Sequence, residues 1–192
     1  GFGMNSSKNA KCSWELKLSN TPKLYELNMQ YGFGHSSLNL SGLAVRKVHI
    51  NNANADVDVD YSIGSPNKTG MDSVVVRTEF GNVNLSNMHL AKAKEYRIDV
   101  SYGLVNMTFR DVSKTATKID ARVGAGSFKM TIVDKTPVRI VINQGSLAKV
   151  TVPKGYIKKG ETTYESPEYK TGAVGAIVIA VDVSLGEFTV VE

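Results

Sequence analysis

Three carboxylates alternate with apolar residues in Asp56-Val57-Asp58-Val59-Asp60-Tyr61, so an extended chain would place them on one face about 7 Å apart. Two chemistries use carboxylates in this way. Calcium needs about six to eight oxygens converging on one point, whereas a straight strand holds Asp56, Asp58 and Asp60 apart, so they read as an acidic patch on a solvated edge. Glycan cleavage needs two carboxyls facing one cleft. Asp56, Asp58, Asp99 and Asp120 are the candidates, and the sequence marks no second wall for such a cleft. His35, His49 and His89 are isolated, without neighbours at metal-ligand spacing. No Gly-x-Ser-x-Gly occurs, and Gly32-Phe33-Gly34 and Gly124-Ala125-Gly126 lie between strand patterns without the helix that a phosphate or dinucleotide loop requires. These residues therefore assign no catalytic group, no cofactor and no metal ligand. Recognition chemistry is on offer in residues 153–172, where Tyr156, Lys158, Lys159, Tyr164 and Tyr169 combine aromatic anchors with positive charge. Those tyrosines could stack on a sugar ring or a protein partner, or equally fold the segment back onto the domain.

What must position such residues is a repeat. In Ile98-Asp99-Val100-Ser101-Tyr102-Gly103-Leu104-Val105-Asn106-Met107-Thr108-Phe109, two alternating strand patterns meet at a glycine. The unit recurs with bend glycines at Gly81, Gly103, Gly124 and Gly145, about 21 residues apart, and again at Gly186. A period of that size predicts a right-handed parallel β-solenoid, a single-stranded β-helix, whose coils bury their apolar side only by stacking. The alternative is an antiparallel β-sandwich or roll, which also shows short strands at regular spacing. About eight coils would make a rod roughly 40 Å long.

The expected core is Leu27, Met29, Tyr31, Val48, Ile50, Val57, Val59, Phe80, Val83, Leu85, Ile98, Val100, Tyr102, Val105, Met107, Phe109, Phe128, Met130, Ile140, Ile142, Val181, Val183, Phe188 and Val190. Outward neighbours then align in columns, one of Asn39, Asp58, Asn84, Asn106 and Lys129, another of His49, Arg77, Asp99, Asp120 and Val141. Each bend glycine is required either by positive φ or by close backbone approach. An apolar residue about three positions after each second strand suggests a third short side. Residues 24–192 form the single solenoid domain, with loop excursions at 62–70 and 153–172; the first should protrude, and the second should precede a last strand pair. Residues 1–23 read as a loose polar tail and a capping strand built on Trp14, Leu16 and Leu18, ended by Thr21-Pro22.

At 192 residues, with 42% hydrophobic and 21% charged residues, the chain suits one domain with a substantial core. No apolar run approaches the roughly 20 residues of a membrane helix; the nearest, residues 173–181, reads as a buried strand. The net charge of +5 comes from scattered Lys and Arg, which argues against nucleic acid as a partner. The single cysteine, Cys12, cannot form an intramolecular disulfide. The chain opens Gly1-Phe2-Gly3 without an initiator methionine, and is expected to be a mature piece whose signal peptide has been removed.

The run from Val138 through Gly145, Val152 and Tyr156, the polar loop after it, and a closing pair of strands from Ile179 to Val190 with Gly186 resemble the toast-rack and LiaF-like domains of bacterial envelope proteins. The resemblance covers roughly residues 73–192, and the first third shares only the strand-glycine-strand pattern. It implies a right-handed single-stranded β-helix placed outside the cytoplasm, in families of mostly unknown function or acting by protein contact in envelope-stress sensing, and it offers no catalytic residue to carry over. The expectation is a non-enzymatic extracytoplasmic structural or interaction domain, adhesin-like or envelope-associated, with a protein or a cell-surface glycan as partner. The alternatives are a carbohydrate-binding or carbohydrate-active solenoid, and a sensor domain of an envelope-stress system.

Overall fold

The computed structural model describes residues 15–19 and 23–192; the tail residues, Cys12, Trp14, Thr21 and Pro22 lie outside them. Strands β1 (Tyr25–Asn39) and β2 (Val45–Asp60) run unbroken through the bend. Later coils are split there, giving β3 (Met71–Thr78) and β4 (Asn82–Leu85), β5 (Ala93–Val100) and β6 (Leu104–Phe109), β7 (Thr117–Val123) and β8 (Ser127–Ile132), then β9 (Val138–Gln144) and β10 (Lys149–Thr151). Two short strands, β11 (Ile157–Lys159) and β12 (Thr163–Glu165), precede the closing β13 (Ile177–Val183) and β14 (Glu187–Val191).

Neighbouring coils pair in parallel, which makes the chain a β-solenoid and excludes a sandwich. One face stacks β1, β2, β3, β5, β7, β13 and β9; the other stacks β1, β2, β4, β6, β8, β14 and β10. The register follows from side-chain alternation, because a slip of one residue would turn every apolar side chain to solvent. Val48, Val74, Tyr96, Ile119, Ile179 and Ile140 thus form one inward row, and Val57, Val83, Val105, Phe128, Phe188 and Val150 another. Burial contributes roughly 1.5–3 kcal/mol for each large side chain. Phe128 and Phe188 touch within the second row, their ring centroids 5.5 Å apart.

Two expected core residues face out. Phe80 and Tyr102 are exposed because the bend reverses the alternation: inward positions run 96, 98, 100 and resume at 105, 107, 109, an odd step of five. Tyr102 sits at the apex of that reversal. Leu27, Met29 and Tyr31 are only half-buried, since β1 is the first coil and its ladder partner among the described residues is β2. Leu16 and Leu18 do not form the expected strand; residues 15–19 have no ladder partner among the described residues, and Tyr25 Oη of β1 donates a hydrogen bond to the Ser19 carbonyl at 2.8 Å.

The third side is real and carries the inward polar residues. Asn67 is fully buried and behaves as a surrogate strand residue: its Oδ1 accepts the Val45 N–H at 2.8 Å, and its Nδ2 donates to the carbonyls of Val45, Thr69 and Ala91. The 62–70 loop is therefore pinned into the wall, and its protrusion is confined to the tip around Ile63. Ser166 does the same further on, accepting the Val138 N–H and donating to the Thr136 carbonyl.

The order of coils departs from the order of the chain. β13 lies between β7 and β9, and β14 between β8 and β10, so the last strand pair is wedged into the stack instead of ending it. The outward residues of β13 are Val178, Ala180 and Asp182, and both of its edges are paired. The 153–172 segment is not a free excursion either. β12 pairs antiparallel with β9 and β11 with β12, covering an edge that would otherwise invite pairing with another chain.

Candidate functional site

The two outer faces bind up their own charges. On the second face, the Nδ2 of Asn82 donates to Asp56 at 2.7 Å, that of Asn84 to Asp58 at 2.7 Å, and that of Asn87 to Asp60 at 2.9 Å. His35 Nε2 lies 3.5 Å from the Asp58 carboxylate. Each carboxylate of the acidic patch is thus held by the amide of the next coil, and the three do not converge. The column reads Ser37, Asp58, Asn84, Asn106 and Lys129; Asn39 pairs with Asp60 instead, one pleat further along.

On the first face Arg77 pairs with Asp99 at 3.5 Å and Lys118 with Asp120 at 2.9 Å. His49 and Asp120 are not in the Arg77 column, which continues through Asn51, Asp99, Arg122 and Asp182. Asp99 and Asp120 are each paired with a basic side chain and stand on different columns. The Asp72 carboxyl is held below its usual range by the hydrogen bond from Arg46 Nε at 2.6 Å. Among the described residues no three His, Cys, Asp or Glu come together as a metal site. The His89 imidazole is half-buried, and that burial lowers its pKa.

The tyrosines of the hairpin segment turn inward. Tyr156, expected in the partner-binding segment, is buried, and burial raises its hydroxyl pKa. Tyr164 packs on the core, with Lys158 Nζ 5.8 Å from its ring centroid. Lys158 and Lys159 remain exposed, and Tyr169 is half-buried.

What sequence reasoning missed is the corner. Apex residues of successive coils line up: Phe33 pairs with Asn54, and Phe80, Tyr102, Ala125 and Leu185 follow, each N–H bonding the carbonyl beside the apex of the coil before. Phe33, Phe80, Tyr102 and Leu185 are 86%, 51%, 65% and 60% exposed, and Leu147 of the last coil is 75% exposed. Asn54 and Ala125 interrupt the row. Phe80 and Tyr102 stack, centroids 5.2 Å apart and planes within 9°. The signal was present in the five-residue step between inward positions.

The apex is braced from behind by glycines at equivalent places. Gly81, Gly103, Gly126 and Gly186 form the column, with Ala55 in the coil before; Gly124 and Gly145, expected there, sit over Ser101 and Ser184 instead. Only Gly81 of the four takes positive φ, +75°. At Gly103 a Cβ would stand 2.5 Å from the Gly81 carbonyl oxygen, so close approach between coils is what demands glycine. Ala55 is accommodated by the buried Asn52, whose Oδ1 accepts the Ala55 N–H at 2.9 Å.

Residues 1–75 match the model of the N-terminal domain of toast_rack, DUF2154. This part of the chain is similar to that domain. The match falls on the segment linked above only by its repeat pattern, and the parallel solenoid stack runs on through the C-terminal coils. Across 86% of this chain and 92% of the other, the fold is similar to the crystal structure of a candidate cell adhesion protein from Clostridium sporogenes, with a TM-score of 0.56 and 11% sequence identity. No curated protein matches the chain.

Proposed function

We propose that this toast-rack solenoid is a non-enzymatic extracytoplasmic interaction domain, adhesin-like or envelope-associated, whose exposed corner meets a partner. The observation that carries this is the contrast between surfaces: on the faces many charged side chains are taken up in pairs between coils, whereas Phe33, Phe80, Tyr102, Leu185 and Leu147 stand in solvent along one edge. Large apolar side chains held out by a rigid backbone are disfavoured by water and lose little conformational freedom on binding. The toast-rack resemblance implies a place outside the cytoplasm, and the Clostridium sporogenes protein of similar fold is itself a candidate for adhesion.

Co-sedimentation with intact cells and isolated envelopes of the producing organism tests the reading. Wild type should sediment, and the Phe80→Ser, Leu185→Ser double variant, altered only at exposed positions, should stay in solution. A wild-type protein that remains in the supernatant with both preparations would overturn it.

A further inference from the structure

We propose that the corner at Ala125 is a binding subsite for one pyranose ring of a neutral glycan, with Tyr102 as its stacking platform; this rests on the interaction-domain reading above. Between Phe80 and Leu185 the apex row lacks one large side chain. Tyr102 and Leu185 belong to coils two repeats apart, and Ala125 stands between them. Two repeats span roughly 9.6 Å, of which van der Waals contact takes about 3.5–4 Å on either side. That leaves a slot one ring thick.

The walls are oriented for it. Phe80 covers one face of the Tyr102 ring at a centroid distance close to the coil spacing, with planes 9° apart. The opposite face of Tyr102 therefore looks along the rod into the slot. The floor is the glycine column, Gly103, Gly126 and Gly186, lined with Ala125. No side chain rises from it.

The rim selects the ligand. Asn82 spends its Nδ2 on Asp56, which leaves Oδ1 as an acceptor. Glu187 receives Lys149 Nζ at 3.0 Å and the Thr189 hydroxyl on Oε1, leaving Oε2. Its carboxyl is held below the usual range by the Lys149 hydrogen bond. Ser127 adds a hydroxyl. An apolar peptide side chain would fill the slot but make no use of these acceptors. A sugar ring lays its C–H face on Tyr102 and turns its hydroxyl donors outward to the acceptors. The Lys149–Glu187 pair cancels its own charge, which favours a neutral ring.

The test is an array of neutral hexopyranose chains probed with wild type, Tyr102→Ala, Tyr102→Phe and Ala125→Leu, with thermal melts of each. Leu already occupies the equivalent apex in the next coil, so Ala125→Leu should fill the slot without loss of fold. Wild type and Tyr102→Phe should bind the same chains, and Tyr102→Ala and Ala125→Leu should bind at least tenfold more weakly. As a check that needs no variant, a bound chain should show saturation transfer from aromatic protons to its ring C–H protons. Absence of any glycan retained by wild type, equal binding by all four proteins, or bound chains without that transfer would overturn the proposal. Envelope co-sedimentation that persists without glycan binding removes the slot alone; loss of both removes the interaction reading as well.

Discussion

Replacing Gly103 by alanine tests whether the corner is governed by contact between coils. Gly103 lies outside the left-handed region, so the backbone conformation itself suits alanine and conformational strain predicts almost no penalty. Packing predicts a large one. The added Cβ would stand 2.5 Å from the Gly81 carbonyl oxygen, 3.0 Å from Thr78 Oγ1 and 3.1 Å from the Phe80 carbonyl carbon. None of these is the free end of a flexible side chain, and the Gly81 oxygen already accepts the Leu104 N–H at 3.0 Å. Relieving the clash by parting the coils would stretch that bond. Overpacking costs about 1–3 kcal/mol and a weakened hydrogen bond about 0.5–1.5 kcal/mol, so the sum is roughly 2–4 kcal/mol. For a domain of this size that lowers Tm by about 5–15 °C. Circular dichroism melts of Gly103→Ala beside Gly155→Ala, where a Cβ meets open space, supply the comparison. A Gly103→Ala melt within about 1 °C of wild type would refute the contact account.

Asn67→Ala should be among the most damaging single changes outside the sheets, because it strands the N–H and carbonyl of Val45 in a buried place; a loss of about 2–4 kcal/mol in urea unfolding is expected, and a loss near zero would mean that the loop is not anchored there. Burial raises the pKa values of the Tyr61 and Tyr96 hydroxyls, so the folded state keeps their protons when the unfolded chain gives them up. Stability is then fully present below about pH 10 and falls as pH rises toward the folded values, by up to about 1.4 kcal/mol per pH unit for each group. Urea midpoints between pH 9 and 11 should show the fall, and Tyr61→Phe should reduce it; because the Tyr61 hydroxyl has no partner among the described residues, that variant should be no less stable at pH 7. Deleting residues 158–168 removes β12 and Ser166 together, so it should bare the β9 edge and produce concentration-dependent association by light scattering; a monomer as stable as wild type would show that the hairpin is only a connector.

The period and the alternation were legible because they report burial directly, and most of the expected inward residues lie in the core. Where legibility failed, the cause was a change of parity or of neighbour. Phe80 and Tyr102 fit the alternation as a string of letters, but the bend consumes an odd number of residues and turns them out. Gly124 and Gly126 both looked like bend glycines, and only carbonyl contact across coils separates them. Asn52, Asn67 and Ser166 are polar residues facing in, and a single sequence gives no sign of which asparagine or serine will stand in for a missing strand bond. The partners of the acidic patch were hidden for a similar reason. Asp56, Asp58 and Asp60 were correctly placed on one outward face, yet their state depends on Asn82, Asn84 and Asn87, about one coil later in the chain.

The wedged last coil is the hardest feature to foresee, and it bears on how the rod closes. β13 joins β7, about 60 residues upstream, to β9, so neither edge is satisfied until residues 177–191 arrive. Closing a loop of that length costs little more than closing one of half the length, since the entropy grows only with the logarithm. The gain is two ladders made in one step, with Ile177, Ile179, Val181 and Val183 buried between coils that are otherwise complete. The same insertion brings Leu185 to the apex two coils beyond Tyr102. Had β9 and β10 followed β7 and β8 directly, the corner bulge carrying Leu147 would have stood beside Ala125, and the slot would have different walls. The C-terminal strands therefore do two things at once: they lock the stack, and they set the spacing of the exposed corner on which the proposed recognition depends.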